Sequence, residues 1–370
     1  MNILQRRTVH AITLCGILIF ICCFLPLLSS SSVAAQNTDP LARCAGIEND
    51  VDRLQCYDEL AGRKKTAKEK ITAKESTKTT VQEAAPELSV MTKYWDLDTE
   101  NREHSFFLRP YRPNYFLFAA YNSSPNEDTS LDFDPKAKAQ YNEAKFQLSF
   151  KAKVWEDVLR NTLKDVFAQD KGITGIDIWA AYTQLSFWQL YNSAFSAPFR
   201  DTNYEPELLI NFRTNYEILG FQGRFLNVGF NHQSNGRSKP LSRSWKRIVA
   251  NIGLEKDNFG LQLRTWYRIP EDESNDDNPD LSRYMGYGEL LGTLYWEKHR
   301  FAVMLRNNLR QENLGAVQLD WSIPLSLIHE RFGDRFSFYI QYFNGYGESL
   351  LDYNKSINRI SAGFMIADWN

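Results

Sequence analysis

The sequence predicts an all-β protein: a 12-stranded antiparallel transmembrane β-barrel carrying an N-terminal periplasmic extension. Three observations point there. Apolar and polar residues alternate with period two along segment after segment, as in 208–217, where Leu208, Ile210, Phe212 and Tyr216 interleave with Leu209, Asn211, Arg213, Asn215 and Glu217. Such alternation marks strands with one apolar and one polar side. Aromatics are abundant, with 18 Tyr, 24 Phe and 9 Trp. Short turns alternate with long polar loops, the arrangement of barrels with short periplasmic turns and longer outer loops. The mean hydropathy of −0.45 argues against a helical membrane protein but not against a barrel with a polar interior. A water-soluble β-sandwich is the competing architecture; it would need polar residues on its outer face, whereas these strands carry long aromatic and aliphatic rows.

From the N-terminus, residues 1–35 read as a signal peptide. Arg6 and Arg7 precede the apolar run 11–28, and Val33-Ala34-Ala35 offers small residues for cleavage. The alternative is an uncleaved anchor. Cys15, Cys22 and Cys23 leave with the signal, so Cys44 and Cys56 remain in the small segment 36–62. Two cysteines in an exported chain suggest a disulfide, with two free thiols as the alternative. Residues 63–100 read as a charged linker, because 63–87 are rich in Lys, Glu, Thr and Ala and hold few apolar residues to bury. Residues 101–370 form the barrel domain.

Within it, candidate strands fall near 112–121, 144–154, 176–190, 206–216, 221–232, 243–255, 258–270, 283–297, 299–310, 315–324, 335–346 and 357–369. Leu159, Leu163, Val166 and Phe167 share a helical face, so 156–169 are expected as a cap helix. The net charge of −2 gives no sign of nucleic-acid binding.

One stretch, NHQSNGRSKPLSRSWKR at 231–247, carries chemistry. Along the fifth strand Leu226, Val228, Phe230, His232 and Ser234 share the apolar, lipid-facing row. Residues i and i+2 of a strand lie on one side, so a nucleophilic Ser234 and a base His232 can approach if the strand end curls. Lys246 begins the lipid-facing row of the next strand. His-x-Ser alone is a weak signal, and ordinary interfacial polar residues would look the same.

The stretch resembles the active-site segment of the outer membrane phospholipase A family, H-x-S-N-G-R followed by P-x-S-R-S-W-N-R. The resemblance runs from about residue 112 to the end, through YTQLSFWQLYNS (182–193), SAPFRDTNYEPEL (196–208), DDNPDLSRYMGY (276–287) and GYGESLLDYN (345–354). It implies a calcium-dependent enzyme of the bacterial outer membrane that hydrolyses phospholipid and lysophospholipid esters and acts as a homodimer. By position it implies Ser234 as nucleophile, His232 as general base and the Gly236 amide in the oxyanion site. It implies calcium ligands from the Arg237 carbonyl, the Ser242 hydroxyl and Ser196 of the partner subunit, with Asp277 in an alternative monomer site. Two positions depart from the pattern. Lys246 stands where the family has a triad asparagine, and a charged lysine has donors only. The orienting partner is then another group, or the enzyme is slower, leaving a catalytically weak barrel with a structural or transport role as the alternative. Lys239 stands where the family tends to be acidic, which puts the monomer calcium site in question. A diffusion porin is disfavoured by Trp245 and Trp266 in the lumen rows.

Overall fold

Alternation of the kind seen at 208–217 closes, in the computed structural model, into a barrel. The structure describes residues 44–47, 49–61, 89–97, 105–127, 140–158, 172–195 and 198–366. Two compact units divide at residues 83 and 84. In the first, helix α1 (Asp50–Leu60) contains Cys56, which is disulfide-bonded to Cys44 with their Cα atoms 5.5 Å apart.

The second unit holds the sheet. After a short strand β1 (Leu108–Pro110), twelve strands follow: β2 (Asn114–Asn122), β3 (Asn142–Trp155), β4 (Ile173–Trp188), β5 (Phe199–Ile218), β6 (Phe221–Ser234) and β7 (Ser244–Lys256). The others are β8 (Phe259–Arg268), β9 (Gly288–Trp296), β10 (His299–Asn307), β11 (Gly315–Pro324), β12 (Phe336–Gly345) and β13 (Ile357–Ile366). Each pairs antiparallel with its sequence neighbour, and β13 returns to pair with β2, so no edge is left open. β1 pairs with β3 at Leu108↔Ala152 and continues the β2 side of that ladder.

Outward rows are apolar and exposed, for example Leu208, Ile210, Phe230, Ile248, Leu263 and Tyr267. Inward rows are polar and buried, including Asp201, Asn203, Glu205, Glu207, Asn211, Arg213, Asn227, Asn231, Arg247 and Arg264. Among the described residues no helix is long and apolar enough to cross a membrane, so the strands are the spanning elements.

Several boundaries differ from the sequence expectation. β5 begins at Phe199 rather than 206, because Asp201, Asn203 and Glu205 are lumen residues and resemble a polar loop when read in sequence. The expected strand 283–297 starts at Gly288, and Leu281–Met285 is a short helix, α3, in the preceding loop. The connection between the strands expected at 315–324 and 335–346 carries two 3-10 turns. Most of the expected cap helix at 156–169 lies outside the described residues.

The expected linker 63–100 ends in structure. Helix α2 (Val90–Trp95) is capped by the Ser89 side chain, which accepts from Thr92 N–H. Val90, Met91, Tyr94 and Trp95 lie on one helical face by spacing. Trp95 is buried in the lumen, with ring centroids 5.1 Å from Phe225, 5.7 Å from Trp179 and 6.0 Å from Tyr111. Met91 N–H donates to Glu255 at 3.3 Å, while Asp96 pairs with Arg109 at 3.1 Å and with Lys153. Phe225 and Glu255 lie near the short turns, so α2 fills the barrel at that end.

Candidate active site

The site grows from the outer ends of β6 and β7. His232 and Ser234 are on β6, and the ladder sets His232 opposite Lys246 and Ser234 opposite Ser244. Flanking Asn231 and Trp245 are fully buried in the lumen. Parity therefore directs His232, Ser234 and Lys246 to the outer face, as read from the sequence. On the other side of β6, β5 pairs Tyr204 with Ser234 and Glu207 with Asn231, and Pro206 stands between these pairs. With no N–H, proline cannot complete the ladder there.

The loop 235–243 is organised by Asn235, a residue the sequence reading did not single out. Its buried side chain accepts from Arg243 N–H at 2.9 Å and from Arg237 N–H at 3.3 Å, and donates to the Leu241 carbonyl at 2.8 Å. Gly236 follows with φ of 63°, a conformation that favours glycine. A Cβ there would also meet the Tyr204 ring at 3.2 Å. This turn aims the Gly236 N–H at Ser234 Oγ, to which it donates at 3.1 Å. The Arg237 guanidinium donates to the carbonyls of Phe199 and Arg200 at 2.9 and 2.7 Å, tying the loop to β5.

Serine and histidine share a row, but no hydrogen bond joins them among the described residues. His232 Nδ1 is buried and has no hydrogen-bond partner. Lys246, facing it, has only donors to offer and instead pairs with Glu271 at 3.0 Å. Glu271 is another residue missed in sequence; it lies in a polar loop without periodicity.

Around the expected calcium ligands, the loop 269–287 is fastened to β7. Asn278 accepts from Ser244 N–H at 3.0 Å, and Arg268 holds Asp276 through two hydrogen bonds at 2.7 and 2.8 Å. Between these anchors Asp277 meets Ser242 and Lys239, the latter at 3.0 Å. Hydrogen bonds from the Ser242 hydroxyl and the Lys239 ammonium hold its carboxyl below the usual aspartate range. The structure thus joins Ser242 and Asp277, with Arg237 in the same loop as Ser242; Ser196 lies outside the described residues. Carbonyl, hydroxyl and carboxylate oxygens are the donors a hard divalent cation takes, so the Arg237 carbonyl and the Ser242 hydroxyl are of the type that suits calcium. The Asp277 site fits less well, because the Lys239 ammonium already neutralises that carboxylate.

The interior carries a different arrangement. Glu205 accepts a bidentate pair from Arg112 at 3.0 and 3.1 Å, and further hydrogen bonds from Arg247 at 2.9 Å and Asn231 at 2.8 Å. Asn231 also donates to Glu207 at 2.8 Å, and Arg264 pairs with Glu207. The Arg247 guanidinium lies 3.9 Å from the Trp245 ring centroid. A lumen cavity of about 300 Å³ borders this network, on the opposite side of the wall from Ser234.

Compared with known proteins, residues 91–366 match the family model described as Phospholipase A1. The chain belongs to the phospholipase A1 family. Its membership is that of an outer-membrane β-barrel of Gram-negative bacteria and a carboxylic ester hydrolase. Phospholipase A1 of Klebsiella pneumoniae is 37% identical over 73% of this chain and 85% of its own length. Phospholipase A1 of Escherichia coli K12 is 35% identical over 73% of this chain and 84% of its own. The solved outer membrane phospholipase A from E. coli superposes with a TM-score of 0.62 at 33% identity, covering 73% of this chain and 95% of that one. A Salmonella typhi phospholipase, described as a dimer with bound calcium, superposes with a TM-score of 0.63 at 33% identity, covering 76% and 98%. One E. coli structure is of an active-site mutant in which asparagine is replaced by alanine. The phospholipase A1 match begins inside α2, so the helix in the lumen falls within the family region whereas the Cys44–Cys56 segment precedes it.

Proposed function

We propose that this chain hydrolyses acyl ester bonds of phospholipids and lysophospholipids at its lipid-facing wall, with Ser234 as nucleophile and His232 as general base. The observation that carries this reading is the Gly236 amide directed at Ser234 Oγ on the same outer row as His232. A hydroxyl reached by a backbone donor at the membrane boundary meets a glycerophospholipid ester without extracting the lipid into water.

Acylation begins when His232, brought onto Ser234 by a side-chain rotation, takes the Oγ proton as Oγ attacks the ester carbonyl. The Gly236 N–H donates to the developing oxyanion. The imidazolium returns the proton to the departing lysolipid alkoxide, leaving an acyl-serine. Water, deprotonated by the same histidine, attacks that acyl group and releases the fatty acid and Ser234.

The Arg237 carbonyl and the Ser242 hydroxyl would hold calcium together with Ser196 of the partner subunit, which makes the active form a homodimer. Calcium, when bound, supplies Lewis-acid polarisation of the ester carbonyl. Asp277 adds negative charge beside Ser242, with Lys239 opposing it.

The test is hydrolysis of a fluorogenic phospholipid in mixed micelles with calcium, comparing the parent with Ser234→Ala. Folding of both proteins is checked by heat-modifiable gel mobility. The variant should keep the folded mobility and lose about 10³-fold or more of kcat. Parent-level turnover by the folded variant rejects the assignment.

A further inference from the structure

On the reading that Ser234 and His232 do the chemistry, we propose that Glu271 is the group that orients His232, held in place by Lys246. A histidine base needs an acceptor for its Nδ1–H, which fixes the tautomer and leaves Nε2 free to take the serine proton. Here His232 Nδ1 is buried without an acceptor, and the residue across the ladder, Lys246, is a donor. Lys246 nevertheless brings an acceptor to its own side chain, on the same outer row. Its ammonium holds one carboxylate oxygen of Glu271 at 3.0 Å. The Glu271 side chain is 13% exposed although it lies in an outer loop.

Glu271 is also anchored through the backbone. Two residues before it, Ile269 N–H donates to the carbonyl of Lys246 itself at 2.8 Å. The carboxylate therefore belongs to the same local unit as the His232–Lys246 pair. Directly paired residues have Cβ atoms about 5 Å apart. Glu271 follows β8 and so approaches Lys246 from the edge of β7 away from β6; its second carboxylate oxygen meets Nδ1 when the Lys246 and Glu271 side chains both turn across β7 toward His232. In this arrangement one asparagine is replaced by two residues: Lys246 provides the position, and Glu271 provides the acceptor. The negative carboxylate also offsets the lysine charge when the imidazolium forms.

Glu271 acts through His232 and is a positioning residue, so its loss should lower kcat and leave KM nearly unchanged. Glu271→Ala, Lys246→Asn, the double variant and Ser234→Ala are compared as full chains in mixed micelles with calcium, each with folded gel mobility. Glu271→Ala should lower kcat about 10- to 100-fold, with KM within about twofold. In the Lys246→Asn background the same change should cost less than about threefold, because asparagine itself accepts from Nδ1. Glu271→Gln, which keeps a side-chain carbonyl, should recover part of the loss. Parent-level kcat in Glu271→Ala, with Ser234→Ala inactive, overturns the role of Glu271 and leaves the hydrolase reading intact. An equal loss in both backgrounds also overturns it, as the mark of a general structural effect. Parent-level activity in Ser234→Ala would instead reject the underlying reading.

Discussion

The two faces of β6 are built to opposite specifications. Odd positions face a lumen where Asn231 bridges Glu205 and Glu207 and receives a hydrogen bond from Arg247 at 2.8 Å. Even positions face outward, where, among the described residues, the Gly236 N–H donates to Ser234 Oγ and His232 Nδ1 has no partner. A buried charge network tolerates few alternative geometries, since a missing partner leaves a charge desolvated. Under-partnered groups on the outer face keep their hydrogen-bonding capacity for substrate. Alternation along one strand thus separates the residues that hold the wall from those proposed to react on it.

Substitutions should divide the same way. The largest effect is expected at Ser234: alanine should remove about 10³-fold or more of kcat and leave the midpoint of urea unfolding unchanged, and a shifted midpoint would mean that the faces are coupled. Next, Glu205→Ala leaves the buried Arg247 without its carboxylate partner and removes the bidentate acceptor of Arg112. It should destabilise the barrel by about 3–5 kcal/mol, read as a lower urea midpoint, while kcat per folded molecule changes little. A large kcat loss in the folded fraction would show that the network also tunes the outer site.

A smaller effect is expected at Lys239. Its exposed ion pair with Asp277 is of the kind worth below about 1 kcal/mol, so Lys239→Ala should lower the calcium concentration for half-maximal activity about two- to fivefold. An unchanged calcium titration would separate Asp277 from the metal altogether. The smallest effect concerns pH. The Asp277 carboxyl is depressed, so its hydrogen bonds to Ser242 and Lys239 are intact above the ordinary aspartate range and are lost as pH falls through the lowered value. The thermal midpoints of the parent and of Asp277→Asn should therefore differ slightly at neutral pH and converge in acid. A gap that widens in acid would reverse the sign.

Much of the fold was legible because period two sorts lipid from lumen without knowledge of neighbours. That rule also placed His232, Ser234 and Lys246 on one face. It failed where the lumen itself is polar: Asp201, Asn203 and Glu205 read as loop although they line β5. It also failed for α2, six residues following a low-complexity run, although Val90, Met91, Tyr94 and Trp95 carry helical spacing. Asn235, Glu271 and Asn278 were invisible for another reason. Their roles rest on contacts made in aperiodic loops, where a polar side chain gives no sign of its partner. Lys246 was legible as a departure from the family pattern, but its ion pair with Glu271 required coordinates.

The indole of Trp95, wedged among Phe225, Trp179 and Tyr111, has a consequence for permeation. A twelve-stranded wall without this filling could admit water and small ions along its axis. Aromatic rings at one end and interlocked charges further along obstruct the bore, so the lumen is not an open water-filled channel of the porin kind.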